Sequence, residues 1–358
     1  MNLHKHKQEF EDLITIVANY IGIPVDAVRR DYYIVLIMQN LQNSEYAEKC
    51  VFKGGTSLSK CYPGSINRFS EDIDLTFMPA EDMNNKKYSK TLKQIENTIT
   101  TGFFIEKIGT ERNDRNKSAY VWPENEKKEV CQVKLEIGSS VRPDPFSKKS
   151  MKTYIQEYLE EKGMHAIIVE FNLQEVRVNT LDITRTFLDK VMSVKRHAIC
   201  GTLPRKVRHI YDVTMLFKRD DIQDFLKDTE KLKCLLNTHK PQVCYKHIFN
   251  KILLNSNNLE QIKIKRTVSC ILWVFKKCLL KLTKETDSYY LQKRNISQEY
   301  DPLGAYAFGT WKQYFNDEIR RRYETLHEDL LYTHDCQNFY NAIKAFELIN
   351  QLFSSIGE

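Results

Sequence analysis

FKGGTSLSKCY at residues 52–62 and SEDIDLTF at residues 70–77 form the most informative pattern in this sequence. The first stretch has a short β-rich run, two glycines and a segment typical of the start of a helix, with Thr56 or Ser57 near the cap. The second stretch alternates acidic and apolar residues, as a half-buried strand does. The pair therefore predicts a strand, a tight turn and a helix, followed by a strand that carries two acids.

The two acids are Asp72 and Asp74, which stand two residues apart in DIDL. On a β-strand both carboxylates point to one face, while Ile73 and Leu75 point into the core. Like charges this close are unfavourable without a cation, and Mg²⁺ prefers carboxylate oxygens together with substrate phosphate oxygens. We therefore expect Asp72 and Asp74 to hold metal against a triphosphate. An isolated DxD is more often a solvated strand edge, and the glycine context favours the metal site.

A third acid is expected from a neighbouring strand. KLEIG at residues 134–138 supplies Glu136 between two apolar residues. Asp72, Asp74 and Glu136 would then form a metal site for two Mg²⁺ ions about 4 Å apart, with Mn²⁺ as an alternative ion. Glu136 would complete that site or deprotonate the acceptor.

The glycine turn predicts a phosphate site. Backbone N–H groups at the start of a helix bind anions, and a lysine one turn further on can add an ammonium group. The segment has neither Walker A nor Rossmann spacing, so the site is of another kind. The residues expected to bind nucleotide phosphates are Gly54, Gly55, Thr56, Ser57, Lys60 and, at the end of the loop before the acids, Arg68.

The periodicity of the chain predicts an α+β fold in three parts. Helical spacing over 9–21 and 26–42 indicates short N-terminal helices, assigned to residues 1–47. Residues 48–180 hold the β-rich runs VFKGG, DIDLTF, VCQVKLEIG and HAIIVEF, with an amphipathic stretch near 87–100, and predict a mixed sheet. Residues 181–358 predict a helical domain, with periodic stretches at 180–200, 204–218, 221–237, 241–255, 258–282, 309–332 and 335–354.

Composition narrows the class of protein without naming it. The chain has 358 residues, 42% of them hydrophobic, and 54 Lys and Arg against 47 Asp and Glu, a net charge of +7 that permits polyanionic ligands. Its nine cysteines include no CxxC pair, which indicates reduced thiols and no zinc site. The N-terminus lacks the apolar region of a signal peptide, and we expect a cytoplasmic protein without membrane association.

The combination of FKGGTSLSKCY with INRFSEDIDL resembles the AbiEii/AbiGii toxin nucleotidyltransferases, within the DNA polymerase β-like superfamily. TRTFLDKVMSVKRHA at 184–198 and RKVRHIYDVTMLF at 205–217 are similar to two further helices of that family. The resemblance implies that Lys190 contacts nucleotide or triphosphate and that Asp212 is a positioning residue or a base. Without it, Lys190 would be interpreted as a solvated lysine and Asp212 as an i,i+4 partner of Arg208.

The resemblance also implies an activity and partners. The chain would be the toxin of an abortive-infection system and transfer a nucleoside monophosphate from a nucleoside triphosphate to an acceptor, with tRNA 3′ ends expected, and a cognate antitoxin would be encoded nearby. The alternatives are nucleotidylation of a protein or small molecule, and GTP binding without turnover. A basic face in the helical part is a further hypothesis for RNA contact, comprising Lys276, Lys277, Lys281, Arg320, Arg321 and Arg322.

Overall fold

The structure is a computed structural model that describes residues 1–79, 83–138, 142–199, 201–238, 308–329, 331 and 336–354. It divides into two compact units. The first comprises residues 1–187 and 326–336, and the second comprises residues 188–325 and 337–358. The domain boundaries predicted at 47/48 and 180/181 remain a prediction.

The first unit is built on a mixed sheet in the order β3-β4-β5-β2-β1-β7-β6. β2 runs parallel to β5 and antiparallel to β1, while β1 runs parallel to β7. This arrangement confirms the predicted α+β class with a mixed sheet. The strands are β1 Cys50–Lys53, β2 Asp72–Phe77, β3 Phe103–Lys107, β4 Asn116–Pro123, β5 Val133–Gly138, β6 Phe146–Met151 and β7 Val176–Leu181.

Helices pack around this sheet as the apolar spacing predicts. The two N-terminal helices and the amphipathic helix near 87–100 are all present, and the first of them, α1 Lys7–Ile21, is followed by the left-handed capping residue Gly22 at a φ of 79°. The helices of the first unit are α1 Lys7–Ile21, α2 Val25–Gln42, α3 Gly54–Cys61, α4 Asn85–Ile99, α5 Lys128–Cys131, α6 Tyr154–Glu161, α7 His165–Glu170 and the start of α8 Ile183–Ile199.

One predicted strand is wrong. HAIIVEF, expected to be β-rich, forms the short helix α7, where Val169 is exposed. Conversely, the segment VRPDPFSKKS looks like a loop yet contributes β6. β6 is an edge strand, and most of its residues are not buried. An edge strand with a solvated face does not need the apolar alternation that makes a strand visible in sequence.

The described part of the second unit is helical, as predicted. Its elements are the rest of α8, α9 Val207–Phe217, α10 Asp220–Lys227, α11 Thr229–Thr238, α12 Phe308–Trp311, α13 Asp317–Glu324 and α15 Phe339–Ser354, while α14 Leu326–Asp329 belongs to the first unit. Predicted stretches 241–255 and 258–282, and Lys276, Lys277 and Lys281, lie outside the described residues. Within the described ranges, none of the helices combines the length and apolar character needed to span a bilayer.

Candidate active site

Three predicted acids lie on one face of the sheet. On β2, Ile73 and Leu75 are buried. Asp72 and Asp74, which alternate with them, are half-buried and lie on the opposite face. On the neighbouring parallel strand β5, Glu136 stands at the register position of Asp74. Adjacent strands lie about 4.8 Å apart, so the Asp74 and Glu136 backbones are direct neighbours. The sequence pattern predicts that Asp72 and Asp74 share one face, and the pairing of β2 with β5 adds Glu136 to that face.

Gly54 is required by the position of Asp74. The Gly54 φ is +88°, a left-handed conformation that favours glycine, and a Cβ built there would overlap Asp74 Oδ2 and lie 3.1 Å from its Cγ. The Asp74 carboxylate therefore lies against the backbone at the first residue of α3. Because Gly54 has no side chain, the Asp74 carboxylate can lie at the N-terminus of α3, where anionic groups are favoured.

Gly55 is required by a different neighbour. A Cβ on Gly55 would lie 2.6 Å from both Arg68 Nη2 and Ser70 Oγ. Arg68 is almost completely buried, and its Nη1 donates a hydrogen bond to the carbonyl oxygen of Phe69 at 2.9 Å. The loop between α3 and β2 thus returns a guanidinium to the glycine turn, next to the predicted phosphate site.

The two hydroxyl residues after the glycines have structural bonds. Thr56 Oγ1 donates to the carbonyl oxygen of Asp72 at 2.5 Å and lies 3.0 Å from Ser70 Oγ. Ser57 Oγ donates to the carbonyl oxygen of Gly54 at 3.0 Å. Both side chains are buried inside α3, which begins two residues earlier than the expected cap. These bonds fix α3 against β2, and the backbone N–H groups of the first turn remain the candidates for phosphate binding.

Lys60 lies at the other end of α3. Its Nζ is 2.7 Å from Asp31 Oδ1 on α2 and 4.0 Å from the centre of the Tyr154 ring, with 2% of the lysine side chain exposed. Burial is the largest influence on Asp31 and raises the pKa of that carboxyl, while Lys60 acts in the opposite direction. The structure therefore brings Lys60 to Asp31, and its predicted contact with phosphate remains a prediction.

A lysine that the sequence analysis missed lies among the acids. Lys134 is level with Asp72 on β5, and its Nζ is 2.5 Å from Glu136 Oε1 and 2.8 Å from Glu111 Oε2. These two carboxylates raise the pKa of Lys134 against the effect of burial. The only available signal was the alternation of VKLEIG, which assigns Lys134 and Glu136 to the same face.

The second unit contains the two residues suggested by the family helices. Lys190 on α8 and Asp212 on α9 form a buried ion pair, with Nζ 2.6 Å from Oδ2. His209 lies one turn before Asp212, and its Nδ1 is 3.0 Å from Ser193 Oγ. Burial, followed by the charge of Lys190, lowers the pKa of His209 well below 6.5. Lys190 is thus held by Asp212 and is not a solvated surface lysine.

The arginines expected to form part of a basic face lie on α13. Arg320 pairs with Glu324 at 3.1 Å, and Arg322 pairs with Glu318 at 3.1 Å, both four residues apart on the same helix. Exposed pairs of this kind contribute little to stability, and they reduce the positive charge offered to a polyanion. RNA contact by this helix stays a hypothesis.

Asp72 and Asp74 are better suited to a metal ion that is also bound by substrate phosphates than to an ion held by protein ligands alone. In the part of the chain that the structure describes, no three His, Cys, Asp or Glu side chains are grouped closely enough to hold an ion. Glu136 is instead bonded to Lys134. Mg²⁺ is commonly held by one or two carboxylates plus substrate phosphates, and Asp72 with Asp74 supplies that donor set.

Comparison with known protein families shows the family of the chain. The family model "Nucleotidyl transferase AbiEii toxin, Type IV TA system" matches residues 36–264. The chain belongs to this family: it is a nucleotidyltransferase toxin of a type IV toxin–antitoxin system, which implies a nucleoside triphosphate substrate and a cognate antitoxin. Nucleotidyltransferases of this kind generally use divalent metal ions.

Solved structures that are similar to the chain include the following two. One is MenT4, a nucleotidyltransferase toxin from Mycobacterium tuberculosis H37Rv, with 19% identity, a TM-score of 0.44 and coverage of 63% of this chain and 70% of that one. The other is JHP933 from Helicobacter pylori, with 19% identity, a TM-score of 0.33 and coverage of 57% and 76%. The search of curated proteins gave no match.

Proposed function

We propose that this toxin transfers a nucleoside monophosphate from a nucleoside triphosphate to the 3′ end of an RNA, with tRNA as the expected acceptor, and releases pyrophosphate. The observation that carries the proposal is the position of Asp74. Its carboxylate lies against Gly54 at the start of α3 and level with Glu136 on β5. An acid pair beside a helix N-terminus is suited to a triphosphate that brings a metal ion.

Asp72 and Asp74 are the proposed metal ligands, with Mg²⁺ as the expected ion. When bound, the ion would polarise the α-phosphate and neutralise charge on the leaving pyrophosphate. The residues around it position the substrate. Backbone N–H groups at Gly54 and Gly55 would hold phosphate oxygens, and the Arg68 guanidinium beside Gly55 would add positive charge.

Glu136 is proposed to complete the metal site or to accept the proton of the attacking hydroxyl. Its Oε1 lies 2.5 Å from Lys134 Nζ, and this ion pair fixes the position of the carboxylate on the sheet face. For Lys190 we propose a contact with nucleotide or triphosphate, and for Asp212 the role of a positioning residue. The buried pair that they form supports this division, because Asp212 restricts the ammonium group to one place.

The reaction is attack by a hydroxyl oxygen on the α-phosphorus. The new oxygen–phosphorus bond forms as the bond to the bridging oxygen of pyrophosphate breaks, and the hydroxyl proton leaves to a base. Most of the rate acceleration would come from positioning and charge stabilisation, as in other phosphoryl transfers.

The test is incubation of the purified chain with each α-³²P-labelled nucleoside triphosphate, Mg²⁺ and total bacterial RNA, followed by a denaturing gel. We expect label on RNA of tRNA size with at least one nucleotide, and none with Asp74→Ala. Label on protein in place of RNA would overturn the RNA acceptor and indicate protein nucleotidylation. Nucleotide binding without label on RNA, protein or added small molecules would overturn transfer itself.

A further inference from the structure

The sheet face that carries the acids continues beyond them towards its β3 edge. Tyr120 on β4 stands at the register position of Lys134, which is itself level with Asp72. Trp122 lies two residues further along β4 on the same face, opposite Phe104 on β3. A row of aromatic side chains, Tyr120, Trp122 and Phe104, which we call the aromatic row, therefore begins two strands from the acids, at about 10 Å.

The aromatic row is not part of the buried core. The intervening residues Ala119 and Val121 are fully buried on the opposite face of β4, whereas Tyr120 and Trp122 are half-buried. Phe104 is 49% exposed. Adjacent aromatic side chains that stay partly exposed on one sheet face form a candidate binding surface.

The rings are arranged as separate platforms with positive charge beside them. The Phe104 and Trp122 ring centres are 5.8 Å apart and the planes are inclined at 48°, so neither ring covers the face of the other. Lys128 Nζ is 5.4 Å from the centre of the Trp122 ring. Lys128 and Lys134 also neutralise Glu106 and Glu136, which share this face. The carboxylates of Glu106 and Glu136 beside the rings are therefore paired with lysines, which reduces their repulsion of a polyanion.

We propose that the aromatic row binds the acceptor, by stacking the unpaired bases that precede its 3′ hydroxyl group. This inference rests on the proposed RNA transfer and adds the acceptor site to it. Bases of single-stranded nucleic acid stack on exposed aromatic side chains without sequence preference. The row is continuous by register with the acids through Lys134, so a strand stacked on it with its 3′ end at Tyr120 would place that end towards Asp72.

A purely structural explanation exists and makes a different prediction. Cross-strand aromatic pairs stabilise sheets, and Phe104 with Trp122 could serve only to hold the edge strand β3. In that case replacing a ring would lower stability without changing RNA affinity. Tyr20 on α1 is a matched control, since it is 47% exposed and its ring centre lies 5.0 Å from that of Tyr158.

The experiment measures binding of a fluorescein-labelled, unstructured RNA oligonucleotide by anisotropy, without nucleoside triphosphate. Wild type is compared with Phe104→Leu, Trp122→Leu, the ring-preserving Phe104→Tyr and the control Tyr20→Leu. We expect each ring-removing variant of the aromatic row to bind about tenfold more weakly, as loss of one stacked base implies. Phe104→Tyr and Tyr20→Leu should bind as wild type does, and urea unfolding identifies any variant that loses its fold.

A steady-state assay with labelled nucleotide then distinguishes acceptor binding by the aromatic row from the proposed nucleotidyl transfer to RNA. The ring-removing variants should raise KM for RNA while KM for nucleoside triphosphate stays unchanged. Suppose that wild type labels RNA and that folded Phe104→Leu and Trp122→Leu keep the wild-type RNA affinity and KM. That result would overturn RNA binding by the aromatic row and would leave the proposed RNA transfer unaffected. Failure of wild type to label any RNA would overturn RNA as the acceptor. The anisotropy measurement would still decide whether the aromatic row binds RNA.

Discussion

The carboxylate of Asp74 lies against the α-carbon of Gly54, in space that any other residue would fill with its Cβ. This contact joins the two sequence motifs into one site. It also explains why the residue after β1 is glycine, since both the left-handed backbone and the close approach exclude a side chain.

Gly54→Ala should therefore impair transfer more than stability explains. Left-handed backbone costs alanine roughly 1–2 kcal/mol in the free energy of unfolding, and the new methyl group must also displace the Asp74 carboxylate. Gly102→Ala is the control, because its φ is +84° and a Cβ there would meet no described atom within 4 Å. Urea unfolding should show similar losses for both, and only Gly54→Ala should lose nucleotide transfer. Equal activity in the two variants would contradict the contact.

Lys60→Met should be strongly destabilising. It leaves the buried Asp31 carboxylate without the ammonium group 2.7 Å away, and removal of one partner from a buried ion pair costs about 3–5 kcal/mol. Lys49→Met is the control, since its pair with Glu45 is exposed and 3.9 Å long, and its unfolding free energy should stay within about 0.5 kcal/mol of wild type. A stable Lys60→Met enzyme with a raised KM for nucleoside triphosphate would restore the phosphate role expected from sequence.

Lys134→Gln should strengthen binding of divalent metal ions. The Lys134 ammonium group is paired with the Glu136 carboxylate, so a metal ion that binds this carboxylate must displace the ammonium group. Removing the competitor should lower the Kd for Mn²⁺, measured by electron paramagnetic resonance with nucleoside triphosphate present, by about three- to tenfold. Lys148 on the edge strand β6 forms a similar 2.5 Å pair with Glu48, and Lys148→Gln should bind Mn²⁺ as wild type does. Unchanged Mn²⁺ affinity in Lys134→Gln would exclude Glu136 from the metal site.

His209 should make the protein less stable in mild acid. Its pKa is well below 6.5 in the folded state and near 6.5 when unfolded, so below pH 6.5 the unfolded chain binds the extra proton. Stability is therefore complete above pH 6.5 and falls as pH drops below it, by up to about 1.4 kcal/mol per pH unit. The difference in unfolding free energy between wild type and His209→Gln, measured from pH 7.5 to 5.0, should shift in favour of the variant. A constant difference would show that His209 is not held neutral.

The sequence predicted the parts of this fold that have strong local patterns. Alternation in DIDL assigned Asp72 and Asp74 to one face, alternation in KLEIG set Glu136 apart from its apolar neighbours, and helical periodicity located α1, α2 and α4. Pairing of β2 with β5 depends on contacts between segments about sixty residues apart, so sequence could not give the register that aligns Asp74 with Glu136.

Other features depended on tertiary neighbours that no local pattern records. Lys60 follows Thr56 by one turn, which predicts a phosphate contact, and sequence gave no sign of its ion pair with Asp31, which comes from another helix. Lys134 went unnoticed because lysine between apolar residues is ordinary on a solvated strand face. β6 was missed because its solvent-facing residues remove the apolar signal.

The most direct test of the central claim, that Asp74 belongs to the metal site for nucleotidyl transfer, is pyrophosphate release by Asp74→Asn in Mg²⁺. Asparagine keeps the shape of the side chain and removes the charge, so the urea midpoint should remain near that of wild type. The exposed Asp114→Asn serves as the control for loss of a carboxylate. The account predicts a rate at least about 1,000-fold lower for Asp74→Asn, with Asp114→Asn unaffected, because several kcal/mol of metal-based stabilisation are lost. Wild-type rates of pyrophosphate release from Asp74→Asn would contradict it.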